Sequence, residues 1–511
     1  MMSKHFKKHI SDLGDRQFRR RIKNETEKVL RYVFEDIKND DDTDEETRKE
    51  KQWRLKRCLS DKYYPIFKLW IFFTYCVSIR HPDDLKTILS STKRFEKSYL
   101  YNLFYPWLGT CLFTSTGAKW NARRKILTSA FHFNILNQFA NMLIKEGNCM
   151  TKSLKDVGGV VVKDLVLFIS EHTLNATCKT TMGISLQKLC RNEFQQQYRN
   201  AVHDIIELIV YRAFRPWLYN DLLFSLSPQG RKQTKILKIL HGFTEKVITE
   251  RKLYHKRTND RYLKNLENDK ETEIDNVKIF GIKKKQLALL DLLIAASRDN
   301  LLTNLDVKEE IDTFLFGGHH ITAMGITFGL LLLAEHKDVQ ERVRVEVDTV
   351  MRENGGKLTM TSLKNLSYLE RCLKETLRLY PVASFILRNI EEDVKLHSYV
   401  VPAGTILYLD IFEAHRNPNF LSNPEVFDPD RFLPERMQNR HHYSYVPFSA
   451  GPKNCIGQRF GLQKLKAIIA SLVHNFYLEP IDYLKDIQLR FDVIIHPSHP
   501  VHIKFIPINR K

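Results

Sequence analysis

The sequence predicts a mainly α protein with small β-sheets, on three observations. Helical hydrophobic patterns follow one another over Thr116–Ile135, Glu193–Ile209, Gln233–Lys252, Leu287–Ser297, Lys308–Glu335, Lys337–Glu353 and Leu363–Leu379. Beyond Pro381 the pattern shortens to alternating segments, Phe385–Ile390 and Thr405–Leu409, with turn residues such as Pro402-Ala403-Gly404, which is how strands read. From about Pro65 onward no Gly/Ser linker occurs. One compact unit is therefore expected, although 511 residues would allow about three domains by length.

Residues 1–60 are rich in charge, with KHFKKH and RQFRRRIK followed by the acidic run NDDDTDEE. They hold no stretch of about 20 apolar residues and read as neither signal peptide nor anchor. The expected division is an atypical charged N-terminal segment, 1–60, and a folded domain, 61–511. Within the domain, the aromatic and β-branched run Leu69–Ile79 reads as a strand. Asp306 is expected to cap the long helix, with Glu309 completing a capping box. The segment Ile311–Ala334 is long enough to span a bilayer but carries Asp312, His319 and His320, so it reads as a buried helix of a large core. Pro381 closes the helix that contains Glu375. The polar stretch Thr258–Lys285 reads as a surface loop, Asn417–Pro434 as a Pro/Asp-rich irregular region, and Gln458–Phe476 as a last helix.

Eighty Lys and Arg against 60 Asp and Glu leave a net charge of +20. Such a surplus favours anionic lipid, nucleic acid or an acidic partner. No aromatic-interleaved basic repeat or zinc-finger spacing accompanies it, which argues against nucleic acid. Eight scattered Cys do not form a disulfide scaffold, so a special Cys is a ligand or a nucleophile.

One window concentrates chemistry: Phe448-Ser-Ala-Gly451-Pro-Lys453-Asn-Cys455-Ile-Gly457. It is a turn-rich loop that delivers a sulfur to the N-terminus of the Gln458 helix. Gly451 and Gly457 permit close backbone approach, the helix start and Lys453 favour an anionic sulfur, and Phe448 can shield it from water. A lone Cys before a helix is commonly an inert core thiol, but the joint pattern F-x-x-G-x-x-x-C-x-G is rare by average usage.

This window resembles the haem-binding loop of the cytochrome P-450 family. The resemblance implies the cytochrome P-450 fold, with haem b between a long distal helix and the proximal Cys loop. It makes Cys455 the axial thiolate ligand of the iron, pushing electron density that favours O–O cleavage. Glu375-Thr-Leu-Arg378 resembles the family's E-x-x-R pair, whose spacing puts both charges on one helix face. Arg431, in Pro429-Asp430-Arg431-Phe432, resembles the third member of that structural network. Arg388 stands where the family has a propionate-binding Arg, and Trp120-x-x-x-Arg124 resembles a second propionate donor, a task guanidinium geometry suits. The stretches Glu310–His319, Trp107-Leu-Gly109-Thr, Lys125–Phe133, His415-Arg416 and Phe427–Pro434 are similar to family-4 members, a group that includes fatty-acid ω-hydroxylases. The resemblance covers about residues 61–500.

Three departures bear on function. The family usually has an acid followed by Thr in the distal helix, to organise water and pass protons. Aligned by Gly318, those positions are His320 and Ile321. Ile321 has no hydroxyl, Thr322 lies about 100° further round the helix, and His320 is expected to shuttle protons near neutral pH; as core residues, His319 and His320 would instead be hydrogen-bonded within the bundle. Gly317 replaces a Glu that in many family-4 enzymes bonds a haem methyl, so noncovalent haem is expected. The membrane helix and Pro-rich hinge are absent from this sequence, and Phe72-Phe73 stand in place of a Gly-Pro turn.

By resemblance, the leading reading is a haem-thiolate monooxygenase acting on an apolar fatty acid, hydrocarbon or xenobiotic. Its electrons come from NADPH through cytochrome P-450 reductase, with cytochrome b5 as a further partner, on the cytoplasmic face of the endoplasmic reticulum membrane. Two alternatives stand beside it: O2-independent rearrangement or dehydration of a hydroperoxide, and a haem-binding protein with little catalysis.

Overall fold

The computed structural model describes residues 45–71, 74–91, 95–131, 133–259, 288–490 and 492–509. The charged segment 1–44, Phe72-Phe73 and most of the expected loop, 260–285, lie outside the described residues.

The long helix is where the core is organised. It runs Asn304–Leu315, passes through a π turn, Phe316–Ile321, and continues as Thr322–Glu335. Every residue from Thr322 to Ala334 is buried, which accounts for an apolar segment long enough to span a bilayer lying inside the fold. The helix starts earlier than the sequence suggests. Thr303 is the cap: its hydroxyl accepts from the Asp306 N–H at 3.1 Å and the Asp306 carboxylate accepts from the Thr303 N–H at 2.9 Å. Asp306 therefore closes the box rather than opening it, and Glu309 turns to Arg123 at 3.2 Å.

Around this helix pack Phe133–Lys155, Leu165–Thr180, Asn192–Ala213, Pro228–Arg257, Lys337–Glu353, Ser367–Leu379 and Gln458–Asn475. The expected helix Thr116–Ile135 is two, Gly117–Ala130 and one beginning at Phe133. Leu165–Thr180, which the sequence reading passes over, is buried on most sides and so carries little amphipathic signal.

The main sheet has five strands in the order Ile66–Ile71, Thr74–Ile79, Ile406–Asp410, Phe385–Ile390 and Phe95–Lys97. The single expected strand Leu69–Ile79 is an antiparallel hairpin in which Ile66 pairs with Ile79. The register sets Arg388 between Leu407 on one side and Lys97 on the other. Among the described residues three smaller sheets complete the β part, one of them the pair Leu489–Arg490 and His496–Pro497. The division expected at residue 60 falls within a helix, Glu45–Lys62. That helix is docked on the sheet: Lys56 pairs with Asp410 at 2.8 Å, Ser60 donates to Asp410 at 3.0 Å, and Trp53 meets Phe412 edge-on at 4.8 Å.

Candidate functional site

The cysteine loop is folded by its own backbone. Cys455 N–H donates to the Phe448 carbonyl at 3.0 Å and Asn454 N–H to that of Gly451 at 3.2 Å. Gly451 has φ +70°, and a Cβ there would lie 2.0 Å from the Leu89 carbonyl oxygen, so only glycine fits. Gly457 precedes the helix Gln458–Asn475, and its N–H points at the Cys455 sulfur. Phe448 is half-buried against the main core.

The Cys455 side chain is solvent-accessible, although the sulfur lies deep among protein atoms. Burial pushes the thiol up, against the Gly457 N–H and the Arg124 charge, which pull it down. Without a metal the group is therefore a neutral thiol, contrary to the anionic sulfur expected from helix start and lysine. Lys453 does not supply that charge: its ammonium pairs with Glu96 at 2.8 Å. Arg124 reaches the loop with Nη1 and Nη2 on the Asn454 carbonyl and Oδ1, both at 2.8 Å, bonds other than the propionate contact that the resemblance implies. Trp120, buried one turn before Arg124, lies 6.0 Å from the Arg124 guanidinium and 5.8 Å from Lys453 Nζ.

Arg388 is buried, at 5% exposure. It donates to the Leu387 carbonyl at 2.9 Å and bonds the Tyr101 side chain. It forms no ion pair with a carboxylate among the described residues. Beside it, Lys97 donates to the carbonyls of Leu112 and Phe113 at 2.7 and 2.6 Å. Burial, with Arg388 and Lys453 adding to it, pushes Lys97 down to about 7. Glu96 acts on Arg388 and Glu310 on Lys97 without forming an ion pair; buried cations without a direct counter-ion are costly, so this corner fits an anionic ligand with carboxylates, as haem propionates are. Lys97 was missed because its role depends on strand register and not on a motif.

The E-x-x-R pair is a closed structural unit. Arg378 Nε and Nη2 grip the two Glu375 oxygens, each at 2.7 Å, and Arg431 Nε lies 3.3 Å from Oε1. Spare guanidinium protons go to the carbonyls of His415, Pro424 and Val426 from Arg378 and of Ser422 and Asn423 from Arg431. The network thereby ties down the meander that leads into the cysteine loop.

The distal residues separate into two faces. A Cβ on Gly317 would meet nothing within 4 Å, and Ile321 is half-buried against both main core clusters. His319 instead faces Ser170, 2.7 Å from its Oγ. His320 lies among other rings: stacked at 6.2 Å with His496 and at 6.3 Å with Phe316, with His203 and Arg490 near. Burial, with His203 and Arg490 adding to it, pushes His320 down to about 3. It is neutral at pH 7 and does not titrate near neutrality as the sequence reading expects. The Thr322 hydroxyl is spent on the Gly318 carbonyl at 2.5 Å.

Comparison with known proteins agrees with this arrangement. The family model described as Cytochrome P450 matches residues 45–505. Among relatives, Cytochrome P450 4c21 of Blattella germanica is 35% identical over 458 residues, 89% of this chain and 88% of that protein. Cytochrome P450 4V2 of Homo sapiens is 36% identical over 445 residues, 87% and 82% of the two chains. Cytochrome P450 4c3 of Drosophila melanogaster is 37% identical over 446 residues, 86% and 82%. With a thiol-bearing loop, a buried Glu–Arg–Arg network and a match along nearly the whole described chain, this protein belongs to the cytochrome P-450 family, as a family-4-like monooxygenase.

Proposed function

We propose that the chain is a haem-thiolate monooxygenase that oxidises an apolar substrate, a fatty acid, hydrocarbon or xenobiotic, in an ω-hydroxylase-like manner. The observation that carries this reading is Cys455, an exposed residue on a loop held by Arg124, together with a buried Arg388 that has no ion-paired carboxylate among the described residues. Cys455 would hold the iron as its thiolate, since metal ligation deprotonates a thiol whatever burial does to it. Arg124, Arg388, Lys97 and Trp120 would hold the propionate side. Gly317 brings no carboxylate, so the group would be held without a covalent link. Haem b, when bound, supplies the oxidation chemistry in which one atom of O2 enters a C–H bond and the other becomes water.

An aromatic cluster supports an apolar substrate. Phe113 stands 5.3 Å from both Tyr101 and Phe104 and 6.5 Å from Phe316, which meets Trp107 at 5.1 Å. Exposed Trp217, Leu222, Leu223 and Leu226 support contact with a membrane surface, here the cytoplasmic face of the endoplasmic reticulum. Exposed Lys125 and Arg459, adjacent in sequence to Arg124 and to the cysteine loop, suit the acidic face of an NADPH-dependent flavoprotein reductase, and of cytochrome b5.

One observation favours a second reading. Ile321 has no hydroxyl, the Thr322 hydroxyl is engaged within its helix, and His320 is neutral, so the distal helix is poorly equipped to pass protons. Hydroperoxide rearrangement without O2 does not need that passage, and a haem-binding role with little turnover would result from its lack. Hydroperoxide consumption without NADPH would favour the former; NADPH oxidation that yields peroxide and scant product would favour the latter.

The deciding experiment is the carbon monoxide difference spectrum of the dithionite-reduced protein beside Cys455→Ser. A strongly red-shifted Soret band, lost in the variant, is expected. A short-wavelength band in both proteins would overturn the thiolate reading.

A further inference from the structure

Lys464 lies on the helix that follows Cys455, and its side chain is fully buried, at 0% exposure. Its Nζ donates to the Gly318 carbonyl at 2.7 Å, to Thr177 Oγ1 at 2.8 Å and to the Thr173 carbonyl at 3.4 Å. The Phe460 ring lies 5.1 Å away. No carboxylate of the described residues stands within ion-pair distance. The titratable groups that face it are Cys178 on the Leu165–Thr180 helix, Glu146 on the Phe133–Lys155 helix and His319 on the distal helix. Glu146 is already engaged by His172 and Lys179, and burial keeps Cys178 a neutral thiol. Burial likewise pushes Lys464 down to about 7. A buried amine so placed is expensive unless its protons are used, and here three oxygens use them.

The strongest of these acceptors has a special place. Gly318 sits inside the π turn Phe316–Ile321, where the hydrogen-bond ladder of an α-helix is interrupted. A Cβ at Gly318 would lie 2.7 Å from Thr177 Cγ2, so the distal helix backbone packs directly on the Thr177 side chain at the point where Lys464 bonds both helices. Gly317, where an added Cβ would meet nothing, and the half-buried Ile321 belong to the same turn.

We propose that Lys464 is a positioning residue for the distal wall: reaching across from the helix that follows Cys455, it holds the Gly318 carbonyl and so fixes the π turn that presents Gly317 and Ile321 to the site. The role of that wall rests on the haem-thiolate reading; the clamp itself does not. Lys464 touches neither the thiol nor the residues assigned to the propionates, so it acts only through the turn.

The test is amide hydrogen exchange on the full chain for wild type, Lys464→Met and Lys464→Gln. Met keeps the length and removes the donors, whereas Gln keeps donors without charge. In Lys464→Met, peptides spanning 316–322 are expected to exchange about tenfold or more faster, with 326–334 unchanged and Lys464→Gln restoring part of the protection. In haem-loaded protein, the CO stretching band of the reduced CO form should broaden or shift in Lys464→Met and return towards wild type in Lys464→Gln. Unchanged exchange at 316–322, exchange rising evenly along Asn304–Glu335, or failure of both variants to fold would each overturn the proposal, because Lys464 would then support nothing or the core as a whole. A wild type lacking the red-shifted CO band would count against the haem-thiolate reading and leave the exchange result standing.

Discussion

The backbone N–H of Val446 donates to Nε2 of His415 at 2.7 Å. This bond joins the strand of chain entering the cysteine loop to the segment whose carbonyl is held by Arg378. Nε2 accepts, so the ring proton sits on Nδ1, and burial beside Arg440, Arg378 and Arg416 holds His415 well below its usual range and neutral. His415→Ala should leave the Val446 N–H unpaired in the interior, at a cost of about 1–3 kcal/mol. Urea unfolding would read this as a lower midpoint with an unchanged slope, and His415→Gln, whose carbonyl can accept, should recover part of the loss.

The Glu375 carboxylate is shared by two buried guanidinium groups. Glu375→Gln keeps the shape and removes the charge, which should cost about 3–5 kcal/mol by leaving Arg378 and Arg431 without a counter-ion. Arg436→Ala breaks an exposed pair with Asp428 and should cost less than about 1 kcal/mol. Thermal melts of both variants separate a burial effect from a general sensitivity of the meander.

Two loop glycines should respond in opposite ways. At Gly451 an added Cβ would meet the Leu89 backbone at 2.0 Å with φ at +70°. Gly451→Ala should therefore unfold the loop or lower stability by roughly 1–3 kcal/mol. At Gly457 the Cβ would stand 3.9 Å from the Cys455 sulfur, an ordinary contact. Gly457→Ala should retain the folded loop, and equal losses in both variants, measured by denaturation, would contradict the steric account.

Stability should peak at mildly alkaline pH. His319, His320, His415 and His496 are all lowered by burial. Their contribution is fully present above about pH 6.5 and is lost as pH falls toward their folded values, by up to about 1.4 kcal/mol per pH unit for each. Cys76, Cys111, Cys178 and Cys372 are raised by burial. Their contribution is present below about pH 8.5 and is lost above it, as the unfolded thiols ionise. Lys97 and Lys464, both lowered to about 7, work the other way between about pH 7 and 10, but they are outnumbered by the thiols. Chemical denaturation between about pH 5 and 10 should give a maximum at about pH 8.5, where the thiol loss overtakes the lysine gain; a stability that kept rising to pH 10 would contradict the balance.

What can be read from the sequence is what neighbours in sequence decide. The mainly α class, the helix Lys337–Glu353 with both ends where the structure has them, and the strand Phe385–Ile390 follow from local periodicity. The cysteine loop and the Glu375–Arg378 pair follow from spacing, because a tight turn and one helix face bring those residues together whatever the rest does. Tertiary packing decided the charges. Lys453 was expected to serve the sulfur and is taken by Glu96, a residue 357 positions away. Cys455 and His320 are neutral because the fold desolvates them, a cost that depends on atoms brought in from distant segments. Lys97 and Lys464 gained their places the same way, one by strand register and one by a helix crossing, and neither carries a motif. The sequence by itself determined the family and singled out the candidate ligand sulfur; only the tertiary structure decided which cations lack an ion-paired carboxylate and which side chains bridge helices, since burial and counter-charge belong to the packed chain and to no local run of residues.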